Sequence, residues 1–102
     1  MNNISIRKGE ISVVVELSRN IPEFINPNDE REYNRRLTNV PHLILIAYVE
    51  EKPVGFKVGY ERDESFYSWM GGVLPDFRRL RIAKLLATKQ ENWAKQNGYK
   101  NN

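Results

Sequence analysis

Apolar residues change period several times along the chain, and each change marks an element. Ile4 and Ile6 alternate with Ser5 and Arg7, a short strand that stops at Lys8-Gly9. The β-branched run Val13-Val14-Val15 would extend a strand. However, Ile11, Val14, Leu17 and Ile21 recur at helical spacing with Glu10 and Glu16 between them, so a helix is predicted from Glu10. Ile21-Pro22-Glu23-Phe24-Ile25-Asn26-Pro27 breaks any regular element twice and reads as a loop carrying exposed apolar side chains. Asn28 to Glu32 resembles a helix start with Asp29 and Glu32 at capping-box spacing; Tyr33 and Leu37 form the inner face, and Asn39-Val40-Pro41 ends it.

The second half reads differently. His42 to Val49 is a nearly continuous apolar run of strand length, as expected of a strand covered on both faces. Glu50-Glu51-Lys52-Pro53 turns the chain, and Val54, Phe56, Val58 and Tyr60 then alternate with Gly55, Lys57, Gly59 and Glu61. That is a strand with one packed face and one small or polar face. After a turn at Arg62-Asp63-Glu64, Phe66 to Val73 makes a third strand, and Gly71-Gly72 suggests a bulge or close ligand approach near its end. Pro75 cannot continue a ladder. Beyond Arg81 the period becomes helical: Ile82, Leu85, Leu86 and Trp93 share a stripe with Ala83, Ala87 and Ala94, and Gly98 supplies the stop.

The predicted order, β-α-α-β-β-β-α, defines an α/β protein of the α+β type with a mostly antiparallel sheet. With 102 residues and no internal repeat, it is a single small domain spanning 1–102. The hydrophobic share of 40% and charged share of 28% are those of a globular protein. A net charge of +3 is mild, and Glu30, Glu32, Glu50, Glu51, Asp63 and Glu64 dilute it, which disfavours a nucleic-acid partner. The absence of cysteine excludes a disulfide framework, a thiolate metal site and a cysteine nucleophile. The single histidine, His42 after Pro41, reads as a strand start, so no metal is expected. No stretch reaches the ~20 apolar residues of a membrane span. Met1-Asn2-Asn3 carries no signal-peptide pattern. No membrane association and a cytoplasmic location are expected.

The chemistry concentrates at the corner from Val73 to Leu86. A strand end, a proline-started turn and a helix start aim backbone N–H groups outward, and Arg78, Arg79, Arg81 and Lys84 add cations to the positive end of the helix dipole. A phosphate or diphosphate is the guest this arrangement suits. An ordinary basic strand-to-helix corner is the plainer alternative.

This corner resembles the acetyl-coenzyme A segment of the Gcn5-related N-acetyltransferase (GNAT) superfamily, whose signature is Arg/Gln-x-x-Gly-x-Gly/Ala after a strand ending in Val-x-Pro. Arg78 takes the first signature position and Ala83 the last; Arg81 stands where the middle glycine belongs, and Arg79 where many members carry another. In the family that glycine lets the loop backbone approach the coenzyme pyrophosphate. An arginine there either obstructs the coenzyme or grips it. Pro53-Val54-Gly55-Phe56 matches a common hairpin start of the family, and the element order matches its first half, implying a GNAT-like three-layer fold with the C-terminal strands absent. The family continues into another strand, another helix and a closing hairpin, whereas this sequence stops at Asn102. The resemblance therefore implies a truncated domain with an unpaired sheet edge, completed by another chain or open to self-association into a homo-oligomer.

The resemblance implies transfer of an acetyl group from acetyl-CoA, as cosubstrate, to the amine of an acceptor, either a small molecule or a protein N-terminus or lysine. Val73 and Leu74 would pair with the pantetheine arm, an N–H near Gly72 and Val73 would hold the thioester carbonyl, and Arg78, Arg79, Leu80, Arg81, Ile82, Ala83 and Lys84 would hold the pyrophosphate. No catalytic base or acid stands out: Tyr67, Ser68, Trp69 and Met70 are poor bases, and Glu61 and Glu64 sit in or beside a turn. Phe24, Tyr33, Tyr67 and Trp69 are either walls of the acceptor site or core. The alternative function is a catalytically inactive GNAT-like module for binding or assembly.

Overall fold

In the computed structural model, residues 3–99 are described. Met1, Asn2 and residues 100–102, including the chain end at Asn102, lie outside the described residues. The elements are β1 (Ile4–Lys8), α1 (Ile11–Arg19), α2 (Glu30–Leu37), β2 (His42–Val49), β3 (Lys52–Arg62), β4 (Ser65–Val73), a short 3-10 turn at Pro75–Phe77 and α3 (Ile82–Gln96). The order is the predicted one. All strand pairs are antiparallel in one sheet of order β1-β2-β3-β4.

The sheet is the middle of three layers. Ile44 and Ile46 of β2 pack with Val14 and Leu17 of α1 and Tyr33 and Leu37 of α2, while Leu43, Leu45 and Ala47 pack with Ile82 and Leu86 of α3. An unbroken apolar run is thus explained by a strand covered on both sides. Helix α2 starts as expected, with the Glu32 N–H donating to Asp29 Oδ1 at 2.9 Å. The reciprocal half of the capping box does not form. The Glu32 carboxylate instead accepts from Arg35 at 2.7 Å and Arg36 at 3.3 Å, charge-assisted bonds that outcompete a neutral amide.

Several expectations are corrected. The turn before β3 needs only Glu50 and Glu51, both at positive φ (50° and 69°), the geometry of a two-residue hairpin turn, so Lys52 and Pro53 already pair with Val49 and Tyr48. Likewise Asp63 and Glu64 (53° and 66°) make the next turn, and Arg62 belongs to β3. Neither bulge falls at Gly71-Gly72. Ala47 and Tyr48 face Gly55 and Pro53, which leaves Val54 as the extra residue and accommodates a proline inside the strand; Val58 and Gly59 face Met70 and Ser68, which leaves Trp69 extra in β4.

The small face of β3 is also packed rather than open. A Cβ on Gly55 would lie 3.5 Å from Ile82 Cγ2, and one on Gly59 only 2.5 Å from Phe66 Cε2 and 2.9 Å from the Tyr67 carbonyl oxygen. The small residues let α3 and the β4 side chains approach closely. The buried strip of α3 steps through Ile82, Leu86 and Gln90, which leaves Leu85 on the flank at 43% exposure. Ile21 is buried and Phe24 half-buried, so among the apolar residues of the loop after α1 only Ile25 stands exposed.

Candidate functional site

The end of β4 sets the geometry. The Leu74 N–H donates to the Val54 carbonyl at 2.8 Å. Successive residues of a strand present their amides to opposite sides, so the Val73 N–H and carbonyl face away from β3. That outer side is the sheet edge; among the described residues no strand pairs with it. A cleft of about 810 Å³ opens there, bounded by Phe56 and Lys57 of β3, Ser68 to Val73 of β4, Phe77, Arg78, Arg79 and Arg81 of the corner, and Ile82, Ala83, Lys84 and Leu86 of α3.

At the far side of the cleft α3 begins without a side-chain cap. Its first intrahelical bond runs from the Leu85 N–H to the Arg81 carbonyl at 3.0 Å. The Ile82, Ala83 and Lys84 amides therefore precede the hydrogen-bonded ladder and point out of the helix start, where the dipole is positive. Arg79, Arg81 and Lys84 are exposed around them. Half-buried Lys57 faces the same space, and burial holds its ammonium below its ordinary pKa, with Glu91 acting in the opposite sense. This donor set suits a diphosphate: free amides, guanidiniums and no carboxylate among the cleft residues.

The two arginines at the signature's glycine positions adopt the backbone that glycine would supply. Arg79 has φ 69° and Arg81 φ 64°, both left-handed. The chain thus keeps the path of a glycine corner at the cost of strain at two residues. Arg79→Gly and Arg81→Gly are each expected to raise stability by about 0.5–1 kcal/mol, the strain relief exceeding the entropy that glycine gains in the unfolded chain. Thermal unfolding of the single variants checks this; a loss of stability in both would show that the corner is unstrained.

The other anticipated residues are distributed unevenly. Val73 and Ile82 form the buried base of the cleft wall, and Leu80 packs against the α3 side of the core away from it, so all three chiefly position the backbone. The Leu74 amide is occupied by Val54. The Arg78 guanidinium is held elsewhere: Nε donates to the Val73 carbonyl at 3.1 Å, and both terminal nitrogens grip Glu23 at 2.9 and 2.8 Å. It straps the loop after α1 to the end of β4. Under that strap Ile21 and Phe24 lie over Gly72, where a Cβ would come within 2.9 Å of Ile21 Cδ1 and 3.2 Å of Phe24 Cε2. Of the aromatic candidates, Trp69 lines the cleft, Tyr67 and Phe24 are half-buried, and Tyr33 is fully buried, close to Ser18 Oγ at 3.3 Å. Sequence reading missed Glu23 and Lys57. Glu23 is 55 residues from Arg78, beyond any local pattern, and Lys57 was legible only as the polar position of an alternating strand.

The strap has a pH signature. Arg78 bonds lower the Glu23 carboxyl from 4.5 to about 2. Such a group stabilises the fold fully above its ordinary range and loses that contribution as the pH falls toward its folded value. The stability difference between the protein and Glu23→Gln is therefore expected to be constant above about pH 5 and to vanish on acidification from 4.5 to 2. Urea unfolding across that range tests it; a difference that persists at pH 2 would mean that the pair is not linked to proton binding.

Comparison with known proteins agrees with this fold. The family model described as "Acetyltransferase (GNAT) family" matches residues 12–101. No curated protein matches the chain in sequence. Among solved structures, the ribosomal-protein-S18-alanine N-acetyltransferase of Escherichia coli superposes with a TM-score of 0.80 at 13% identity, covering 94% of this chain and 62% of that one. The PaiA N-acetyltransferase of Thermoplasma acidophilum, solved with coenzyme A, gives 0.72 at 19% identity, covering 94% and 74%. An aminoglycoside acetyltransferase from an uncultured soil metagenomic sample, solved with sisomicin, gives 0.75 at 20% identity, covering 95% and 73%. At these identities the structures speak for the fold, and the chain spans less than two thirds of the first of them. With the family model extending over β2 to β4, the corner and α3 together, the chain belongs to the GNAT acetyltransferase family.

Proposed function

We propose that the protein is an N-acetyltransferase that moves an acetyl group from acetyl-CoA to an amine. The observation that carries this is the start of α3. Three free amides (Ile82, Ala83, Lys84) and the exposed Arg79 and Arg81 close one end of a cleft, and the outward Val73 amide lies on the β4 edge beside it. In this reading the helix start and the flanking cations bind the diphosphate. The Val73 N–H is the edge donor available to a thioester carbonyl, and it requires no reorganisation because the strand already holds it. Acetyl-CoA would supply the activated acetyl group. Family membership and the Thermoplasma structure with coenzyme A support the reading. It keeps the cytoplasmic location expected from the sequence and requires no metal; among the described residues no helix is long and apolar enough to cross a membrane.

Coenzyme A at saturating concentration is expected to raise the melting temperature, since a ligand that binds only the folded state stabilises it. No shift would defeat the proposal. Arg81→Gly is expected to weaken coenzyme binding about fivefold, because the left-handed backbone already clears the path and the side chain contributes charge. Tighter binding by that variant would make the guanidinium an obstruction.

Among the described residues the β4 edge has no partner strand, which favours a second reading, a GNAT-like assembly module that self-associates through that edge without catalysis. Sedimentation as a monomer at high concentration would remove it, and acetylation of any amine would rule out its lack of catalysis.

A further inference from the structure

At the end of the cleft away from α3, cations and aromatic rings are stacked together. The Arg36 guanidinium lies 4.7 Å from the centre of the Trp69 ring, and Arg62 lies 4.1 Å from that of Tyr67. Tyr60 packs against both rings, at 5.4 Å from Tyr67 and 5.7 Å from Trp69. Trp69 is the bulged residue of β4 and lines the cleft, so the platform continues it. Arg36 is fixed from below by the Tyr60 hydroxyl, to which it donates at 3.2 Å.

The ring-stacked guanidiniums are only partly engaged by carboxylates. One carboxylate, Glu32, is shared by Arg35 and Arg36, leaving one net positive charge on that cluster. Asp63 and Glu64 are in the adjacent turn, yet among the described residues neither forms an ion pair with Arg62. Glu23 is engaged by Arg78. The unpaired carboxylates nearby, Asp63 and Glu64, belong to the turn after β3, whereas on the rings themselves an anion meets two stacked guanidiniums with donors to spare.

We propose that the acceptor is a short peptide segment whose free amine is followed, within about the first four residues, by acidic side chains that rest on Arg36 and Arg62. The spacing sets the length. Trp69 precedes Val73 by three regular strand steps and the bulge, roughly 10–13 Å, which an extended peptide covers in about three to four residues. This inference rests on the acetyltransferase reading for the position of the amine, and it extends that reading from any amine to one class.

The test uses two probes, the tetrapeptides Ala-Ala-Glu-Glu and Ala-Ala-Lys-Lys, titrated into the protein with tryptophan fluorescence and calorimetry as readouts. The acidic peptide is expected to bind at least about tenfold more tightly, with a preference that shrinks as salt is added. Arg36→Gln and Arg62→Gln are each expected to reduce the preference severalfold while leaving stabilisation by coenzyme A unchanged, which shows that both variants are folded. Equal affinities, tighter binding of the lysine peptide, or a preference that survives both substitutions would overturn the proposal. Coenzyme stabilisation without any acidic preference would sink this inference and leave the acetyltransferase reading standing. Acidic preference without coenzyme stabilisation would do the reverse and leave the platform as a peptide-binding site.

Discussion

Ala83→Glu is expected to abolish the thermal stabilisation conferred by coenzyme A while leaving the protein without ligand as stable as before. Ala83 is the second residue of α3, exposed at the cleft, and its amide is one of the three that no helical carbonyl accepts. A carboxylate in a first helical turn interacts favourably with the dipole by about 0.3–1 kcal/mol, which offsets the small loss in helix propensity. The fold therefore has no reason to suffer. The same carboxylate stands where a diphosphate would lie. At a separation near 4 Å, like charges repel by about 4 kcal/mol at the effective dielectric of a protein surface. Binding should fall at least about a hundredfold, equivalent to about 2.7 kcal/mol. Calorimetric titration of both proteins with coenzyme A decides it. If the variant binds within about threefold of the parent, the start of α3 is not the anion site, and the proposed function loses the observation that carries it.

Phe56→Ala is expected to be the most destabilising of the single substitutions considered. Phe56 is fully buried at the centre of β3. Its ring is 6.1 Å from that of Phe24, which together with Ile21 covers Gly72. Truncation removes the ring from a close-packed layer and undercuts the loop that Arg78 straps to β4. Large aromatic truncations in cores cost about 3–5 kcal/mol, a large part of the ~5–15 kcal/mol available to a domain. The melting temperature should fall by on the order of 15 °C, and the urea midpoint should drop with an unchanged slope. A loss below about 1 kcal/mol would mean that neighbouring side chains collapse into the space, and that the loop over Gly72 is held by the Arg78–Glu23 pair alone.

How much of this was legible beforehand differs by element. The run from His42 to Val49 became β2 with the same bounds because a strand covered on both faces admits no polar position to blur its ends. Asp29 was recognisable as a cap because its bond is to an amide three residues away. Gly71-Gly72 suggested a bulge or a close ligand approach; no bulge forms there, and the extra residues are Val54 and Trp69, while both glycines line the cleft. A bulge is a mismatch between two strands, and neither strand alone records it. The hairpin turns are shorter than the sequence suggests for a similar reason, since four acidic residues occupy left-handed positions where asparagine or glycine would be the usual signal.

For the candidate site, sequence alone singled out the corner that the proposed function uses. The corner from Val73 to Lys84 combines a strand end, a helix start and a cluster of cations within a dozen positions, and local rules govern all three. Tertiary structure decided which groups there are free. It committed Arg78 to Glu23, turned the Val73 amide outward, forced Arg79 and Arg81 into a glycine-like backbone and stacked Arg36 on Trp69. Each outcome depends on a partner brought near by the sheet or on the sheet's own pleat. Side-chain type limits what a residue can bond, and only the fold fixes what lies within reach.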